Sequence, residues 1–432
     1  MWRVSCWPRT QRQWLRVAVL WWTTFCWVLL NPAWLELAEL FSWRKPVEFS
    51  FDTTQQELLN AVEQFGRDQL VPMWSQEADD ENRFLTDAWQ AMAEFGLMAL
   101  PFPEEYGGAG VSALTVCAAG EGLGRAGVDA GTVLSYGAST ILCGVPIWKM
   151  GTEEQRQRYL PKMCSGEWIG GFCLTEPGSG SDAASMKTKA VRDGDEWVLS
   201  GSKTWITNGN IGHHFIVTAV TDPEAKPRAT GISTFIVDAD APGFRVGRKL
   251  DKLGCRTSPT TEIFFDDCRI PADAILGPEN YGFVMVAKLI LGWERTCLLA
   301  PALGSLHRAT ETACKYALER HQFGRPIASF GAMEEKIAQM RLSYEVAWGL
   351  LYRVADLLDR DEPCLVEAAV AKTYISEAAV RVAEDVVQIH GGYGFSKEYL
   401  VERGYRDAKL GTIGGGTSEI QRGIIARAIG GF

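Results

Sequence analysis

The spacing of apolar residues changes twice along the chain, and this constrains the fold more than any other feature. From Asp52 the positions Leu58, Leu59, Val62, Phe65 and Leu70 recur at helical spacing, behind a capping pattern of Asp52-Thr53-Thr54 with Gln56. A second helix is predicted over Asp87–Phe95, stopped by Gly96, and closely packed Ala/Gly-rich helices over Ala113–Leu142. Thr152-Glu-Glu-Gln155 caps one more. Between Gly171 and Phe265 the apolar runs become short, β-branched and aromatic. Glu196–Leu199, Phe215–Ala219, Thr234–Val237 and Glu262–Phe265 are separated by Gly, Pro, Asn and Asp, the pattern of a β domain. Helical spacing returns from Gly282 to Leu358 and again over Leu365–His390. Helices, then strands, then helices predict an α+β fold and argue against the alternating units of a Rossmann sheet. No GxGxxG, GxxxxGK[ST] or HExxH occurs. The expected domains cover residues 47–170, 171–278 and 279–432.

Composition narrows the function classes. With 47% hydrophobic and 22% charged residues the chain has ordinary globular usage, so a disordered or collagen-like protein is excluded. A net charge of −10 disfavours nucleic acid as a partner. The 11 cysteines show no CxxC pairing, which predicts free thiols packed as small hydrophobes, a reducing compartment and no metal site.

The first 46 residues follow other statistics. Eight of the 16 tryptophans lie there, with Arg3, Arg9, Arg12 and Arg16 ahead of an apolar run from Val17 to Leu30. Such a segment fits a signal or short membrane anchor, although a bilayer span needs about 20 apolar residues. It fits better the translation of G-rich non-coding DNA ahead of a true start at Val47, and a structured extension is the third alternative. A cytoplasmic location is expected, or membrane association if residues 1–46 belong to the protein.

Five segments carry chemistry. Leu174–Asp182 reads LTEPGSGSD, a strand end turning into a Gly/Ser loop whose backbone can approach a bound group and offer it N–H donors. The others are Gly201–Asn208 (GSKTWITN), Arg320–Gly324 (RHQFG), Gln388–Phe395 (QIHGGYGF) and Thr417–Arg422 (TSEIQR). In this order, over residues 48–432, they closely resemble the acyl-CoA dehydrogenase family of flavoproteins. The resemblance implies an N-terminal helical domain, a middle β-barrel or sandwich domain and a C-terminal four-helix-bundle domain, with FAD as cofactor. It implies that Phe172, Leu174, Thr175, Gly180 and Ser181 line the flavin, Ser181 also meeting the substrate's pantetheine arm, and that Trp205, Ile206 and Thr207 pack on the flavin ring. Arg320, with Phe323 in its turn, and Gln388, Gly391 and Gly392 would reach the neighbouring subunit's FAD, while Thr417 and Glu419 supply further cofactor contacts. Contacts in trans imply a homodimer or homotetramer. The implied electron acceptor is an electron transfer flavoprotein or similar protein.

The sequence departs from the common pattern at the base. Most familiar members carry a carboxylate just before the Gly-Thr of the C-terminal loop, where this chain reads Ile413-Gly-Gly-Gly-Thr417. Gly415 cannot take a proton, but it keeps the backbone N–H that the family aims at the thioester oxygen. Glu419 aligns with a cofactor contact. Isovaleryl-type members place the base in an L-x-x-E-R pattern, filled here by Leu291-Gly-Trp-Glu-Arg295, which nominates Glu294, with Gly292 and Arg295 beside the substrate. The implied reaction is α,β-dehydrogenation of an acyl thioester. A desolvated carboxylate removes the α proton and a flavin takes the β hydride. The acyl carrier is CoA or, alternatively, a carrier protein of a natural-product pathway. An acyl-CoA oxidase and a non-catalytic flavoprotein are further alternatives.

Overall fold

The computed structural model describes residues 51–430, and the expectations for residues 1–46 lie outside that range. Helix α1, Thr53–Phe65, starts at a capping box in which Asp52 accepts from the Gln55 backbone and the Gln55 side chain accepts from the Asp52 backbone. The third helical position is therefore Gln55 rather than the Gln56 expected. Helix α2, Thr86–Glu94, stops at Gly96 in the left-handed region. Helix α3, Ala113–Ala126, is buried along nearly its whole length. Its glycines make that possible, since a Cβ on Gly122 would lie 2.7 Å from the Leu59 carbonyl and one on Gly124 would lie 2.0 Å from the Pro301 carbonyl. Helix α4, Ala130–Gly137, leads into further helical turns up to Met150. This stretch is apolar enough to cross a membrane, with a mean hydropathy of 1.3, yet 83% of its most apolar 18-residue window is buried inside the protein. It is a core helix because its neighbours cover it. Helix α5 is Glu153–Cys164, opened by the expected Thr152–Gln155 capping box.

Seven strands follow: β1 Gly170–Cys173, β2 Lys189–Asp193, β3 Glu196–Thr207, β4 His214–Val220, β5 Ile232–Asp238, β6 Phe244–Lys249 and β7 Thr260–Pro271. They form one sheet in the order β1-β4-β2-β3-β7-β6, with β5 on the other edge of β4. Strand β4 pairs with β1 through residues 214–217 and with β2 only at Val220, so β1 and β2 share one of its edges. The sheet closes on its own apolar residues. Trp197 of β3 meets Phe235 of β5 at 5.3 Å, and Phe215 of β4 stacks on Phe244 of β6 at 5.2 Å, although neither pair lies on hydrogen-bonded neighbours.

The C-terminal part packs α6 (Ala300–Glu319), α7 (Gly331–Asp359), α8 (Leu365–His390) and α10 (Ser418–Gly430) into a bundle, with α9 (Val401–Ala408) alongside. The nine described cysteines are all free and eight are buried, in keeping with thiols used as small hydrophobes.

Buried polar ties lock the three parts together. Asn208, fully buried after β3, donates to the carbonyls of Ser135 and Gly170 at 2.9 and 3.0 Å. Asp407, at the end of α9, accepts from the Cys255 backbone at 2.6 Å, and Thr257 donates to the buried Asp129 that caps α4. Burial and the nearby Asp129 charge push the Asp407 carboxyl up to about 7. Its folded pKa thus exceeds its unfolded value near 3.8, so the folded state holds the proton more tightly. This group favours folding below the unfolded pKa and progressively loses that advantage as pH rises to about 7 and above. We expect Asp407→Asn to raise the melting temperature relative to wild type at pH 8 and to give a clearly smaller gain at pH 5. Thermal unfolding at the two pH values checks this.

Candidate active site

A bulge in β3 builds the first wall of the site. The pairing of β3 with β7 slips by one residue between Lys203 and Ile206, and Trp205 falls in the slip with φ +61°. The bulge sends Ile206 into the core and leaves Trp205 60% exposed. A left-handed backbone is unusual for Trp and is held here by flanking contacts. Thr204 N donates to the Thr175 carbonyl at 2.9 Å. Lys203, fully buried, donates to the Leu174 carbonyl at 3.0 Å and pairs with Glu176 at 2.9 Å. Glu176 in turn accepts from the Lys187 and Thr188 backbones. The loop after β1 is therefore anchored to β3, which brings Leu174 and Thr175 together with Trp205, Ile206 and Thr207. Phe172 sits on β1, half-buried. Gly180 and Ser181 are exposed, and a Cβ on Gly180 would meet nothing within 4 Å.

A second group forms where the chain breaks before α6. Pro301 in the first turn of α6 has no N–H, and inside a continuous helix its ring would clash with the preceding turn. The chain instead makes one helical turn, Leu291–Glu294, and a 3₁₀ turn, Cys297–Leu299. Gly292 is buried, its carbonyl accepting from the Thr296 hydroxyl at 2.8 Å. Glu294 then faces the loop before α10. A Cβ built on Gly415 would lie 3.2 Å from the Glu294 Cδ and Oε1 and 3.5 Å from its Oε2. The Glu294 side chain thus abuts the volume that a side chain at 415 would enter.

The two glutamates of this region differ in environment. Burial pushes the Glu294 carboxyl up, against the opposing pull of the Arg295 and Lys372 charges, and it makes no hydrogen bond or ion pair among the described residues. Glu419 is exposed in the first turn of α10, where its own backbone N–H and the Thr417 hydroxyl hold it below the usual range. A base needs a raised, unpaired carboxylate, and only Glu294 of the two has one. Thr417 caps α10, its hydroxyl accepting from Ile420 N at 3.4 Å. Arg295 is 3% exposed, and its Nε donates to the Gly415 carbonyl at 3.2 Å.

The third group lies on the surface of this chain. Arg320 ends α6 with its guanidinium 5.8 Å from the centre of the Tyr393 ring. Phe323 is 92% exposed, and Gln388, Gly391 and Gly392 are also exposed. A Cβ on either glycine would meet nothing within 4 Å. No hydrogen bond joins this group to the Leu174–Thr207 wall among the described residues.

Two side chains at the second group escape motif reading. Lys372, 2% exposed on α8, donates to the Gly416 carbonyl at 2.6 Å. Gln421, fully buried on α10, donates to the carbonyls of Gly415 and Gly416 at 2.8 and 3.1 Å. The only signal for Lys372 is a charge on an otherwise apolar, Ala-rich helix face, and Gln421 lies within the TSEIQR segment with no local feature that marks it.

Gly415 has φ +64°, so a substitution there meets backbone strain as well as Glu294. We expect Gly415→Ala to remain folded but to lose at least tenfold in the rate of thioester-dependent flavin reduction, measured by stopped-flow absorbance.

Three family profiles match the chain in sequence: the acyl-CoA dehydrogenase N-terminal domain over residues 52–167, the middle domain over 171–268 and the C-terminal domain over 280–430. The chain is 42% identical to the mitochondrial short-chain specific acyl-CoA dehydrogenase of Bos taurus over 373 residues, covering 86% of this chain and 89% of the bovine protein. It is 39% identical to the mitochondrial isovaleryl-CoA dehydrogenase of Solanum tuberosum over 382 residues, covering 88% of this chain and 91% of that protein. Among solved structures, the prolyl acyl carrier protein oxidase AnaB superimposes with a TM-score of 0.85 at 36% identity, covering 88% of this chain and all of AnaB. Profile matches spanning all three domains, together with 42% identity to the bovine enzyme over 89% of its length, make this chain a member of the acyl-CoA dehydrogenase family.

Proposed function

We propose that this protein is an FAD-dependent dehydrogenase of acyl thioesters, converting an acyl-CoA to the 2-enoyl-CoA with Glu294 as the base. The observation that carries this reading is the raised, unpaired Glu294 carboxylate set against Gly415.

The chain's surfaces fit the cofactor. Trp205 is held outward on a strained bulge, and Gly180, Gly391 and Gly392 leave open space where a bound group can approach the backbone. Phe172, Leu174, Thr175, Gly180, Ser181 and Trp205–Thr207 would hold FAD from its own subunit, with Thr417 and Glu419. Arg320, Phe323, Gln388, Gly391 and Gly392 would hold the FAD of a neighbour, which accounts for their exposure in a single chain. Flavin bound there supplies a two-electron acceptor for the β hydride.

Glu294 takes the pro-reactive α proton. Its raised affinity for protons matches a weak carbon acid better than an exposed carboxylate would. The thioester oxygen gathers negative charge as the proton leaves, and the Gly415 N–H is the backbone donor available to it. Arg295, buried beside Glu294, keeps a positive charge near the developing enolate without pairing with the base. Ser181, Gly292 and Arg295 contact the substrate in this reading.

Assembly follows from the trans contacts. Phe323 and Phe395 are 92% and 89% exposed, as expected of residues that a homodimer or homotetramer covers. An electron transfer flavoprotein or similar acceptor reoxidises the enzyme. A second reading, dehydrogenation of an acyl or aminoacyl group tethered to a carrier protein, is favoured by the likeness to AnaB.

Three substrates separate these readings: butyryl-CoA, isovaleryl-CoA and a prolyl carrier protein, each mixed anaerobically with the flavoprotein. Bleaching by a CoA ester supports the first reading, and bleaching by the carrier protein alone supports the second. Glu294→Gln should retain FAD and fold while losing roughly 10²–10⁴-fold in bleaching rate. A near wild-type rate would remove Glu294 from the role. Arg320→Ala should weaken FAD retention by about 1.5–3 kcal/mol through loss of charge-assisted bonds, read as flavin released on dilution.

A further inference from the structure

The two peptide carbonyls that follow the Gly415 N–H are gripped from the protein side by three buried side chains. The Gly415 carbonyl accepts from Arg295 Nε at 3.2 Å and Gln421 Nε2 at 2.8 Å. The Gly416 carbonyl accepts from Lys372 Nζ at 2.6 Å and Gln421 Nε2 at 3.1 Å. These donors come from the helical turn that carries Glu294, from α8 and from α10. Their convergence on two residues is more than the turn needs for its own solvation. Both glycines sit in the left-handed region, at φ +64° and +88°, where the peptide planes are otherwise free to rotate. The Gly415 and Gly416 N–H groups, by contrast, donate to nothing among the described residues. Each of these two carbonyls accepts two bonds. The Gly415 carbonyl fixes the peptide plane of the Gly416 N–H and anchors the residue that carries the Gly415 N–H, so the open N–H groups form a donor surface held from the next two peptides.

We propose that Lys372 and Gln421 are positioning residues for the dehydrogenation, fixing the Gly415–Gly416 turn so that the Gly415 N–H is aimed at the thioester oxygen, and that the Lys372 ammonium also sets the working protonation range of Glu294. The inference rests on the functional reading above and adds two residues to it. Lys372 faces Glu294 and Arg295 across the turn, Glu377 on its own helix and Glu419 on α10. Burial lowers its pKa to about 8, so it carries its charge at neutral pH. A nearby cation favours the ionised carboxylate, and removing it shifts Glu294 toward the protonated form. Gln421 makes the same kind of bond without a charge. The two side chains therefore have separable effects, one geometric and shared, the other electrostatic and belonging to Lys372 alone.

The test uses the FAD-loaded wild type, Lys372→Met and Gln421→Met, each shown folded by circular dichroism and scored for flavin content. The substrate is whichever of butyryl-CoA, isovaleryl-CoA and prolyl carrier protein bleaches the wild type fastest. Both variants should lower kcat by roughly 10- to 100-fold, short of the 10²–10³ lost when an oxyanion donor is removed outright, with KM within about threefold of wild type. Only Lys372→Met should move the acid limb of the kcat/KM profile, and it should move it to higher pH. Lys372→Arg, which keeps the charge, should return that limb toward its wild-type position. A merely structural role would lower stability or flavin content in both variants without moving the limb. Gln421→Met carries the geometric half if Lys372→Met does not fold. The proposal is overturned by a folded, flavin-loaded variant of either residue with wild-type kcat, or by Lys372→Met with an unshifted limb. Either result leaves the functional reading standing, because the wild type and Glu294→Gln still report on it. A wild type that none of the three substrates bleaches overturns that reading and this one with it.

Discussion

Glu294 and Gly415 divide one small volume between them, and the site is arranged around that division. The carboxylate reaches the loop before α10 only because residue 415 has no Cβ, and the loop turns there only because a glycine tolerates φ +64°. The helix break that presents Glu294 comes from Pro301 seven residues later. Burial then does the electrostatic part, raising the carboxyl while Arg295 and Lys372 stand close enough to oppose it without pairing. If a donor or a cation were bonded to the Glu294 carboxylate, its proton affinity would fall.

The other half of the site depends on a buried ion pair outside the chemistry. Lys203 and Glu176 hold the loop after β1 to the bulged end of β3, and both are shielded from water. A buried pair of this kind is weak evidence for stability, since desolvation offsets the attraction. Its service is geometric. The Lys203 ammonium also takes the Leu174 carbonyl, and Glu176 takes two backbone N–H groups from the far side of the loop, so the loop has one path. With the loop fixed, Trp205 can be held outward at a backbone angle that a free strand would relax.

The ties between the parts follow the same logic. Asn208 bonds carbonyls of a helix and a strand, and Asp407 reaches across to the loop before β7. Each places a polar group in a dry interface where only its partner satisfies it, so the helices and the sheet meet in one register. The registration matters for the site, because the Trp205 bulge lies on the sheet while Glu294 and Gly415 lie on the helical part.

The chain's own pattern of residues determined the order of helices, strands and helices, the caps at Asp52 and Thr152, the long helix Leu365–His390, and the motifs that gather at the site. These are local signals: period, capping and turn chemistry act between residues a few positions apart, and a reader of the sequence meets them side by side. The L-x-x-E-R match pointed to Glu294, and the glycine at 415 showed that a carboxylate was missing there. Only the tertiary structure decided that these two observations are one. Glu294 and Gly415 are 121 positions apart in sequence, and their spacing in space depends on a proline-forced break, a left-handed turn and the packing of α8 against α10. For the same reason Lys372 and Gln421 were silent. A lysine in an Ala-rich helix and a glutamine one turn into another acquire a role only when packing buries both against the same two carbonyls, and no local rule encodes where a distant backbone will pass.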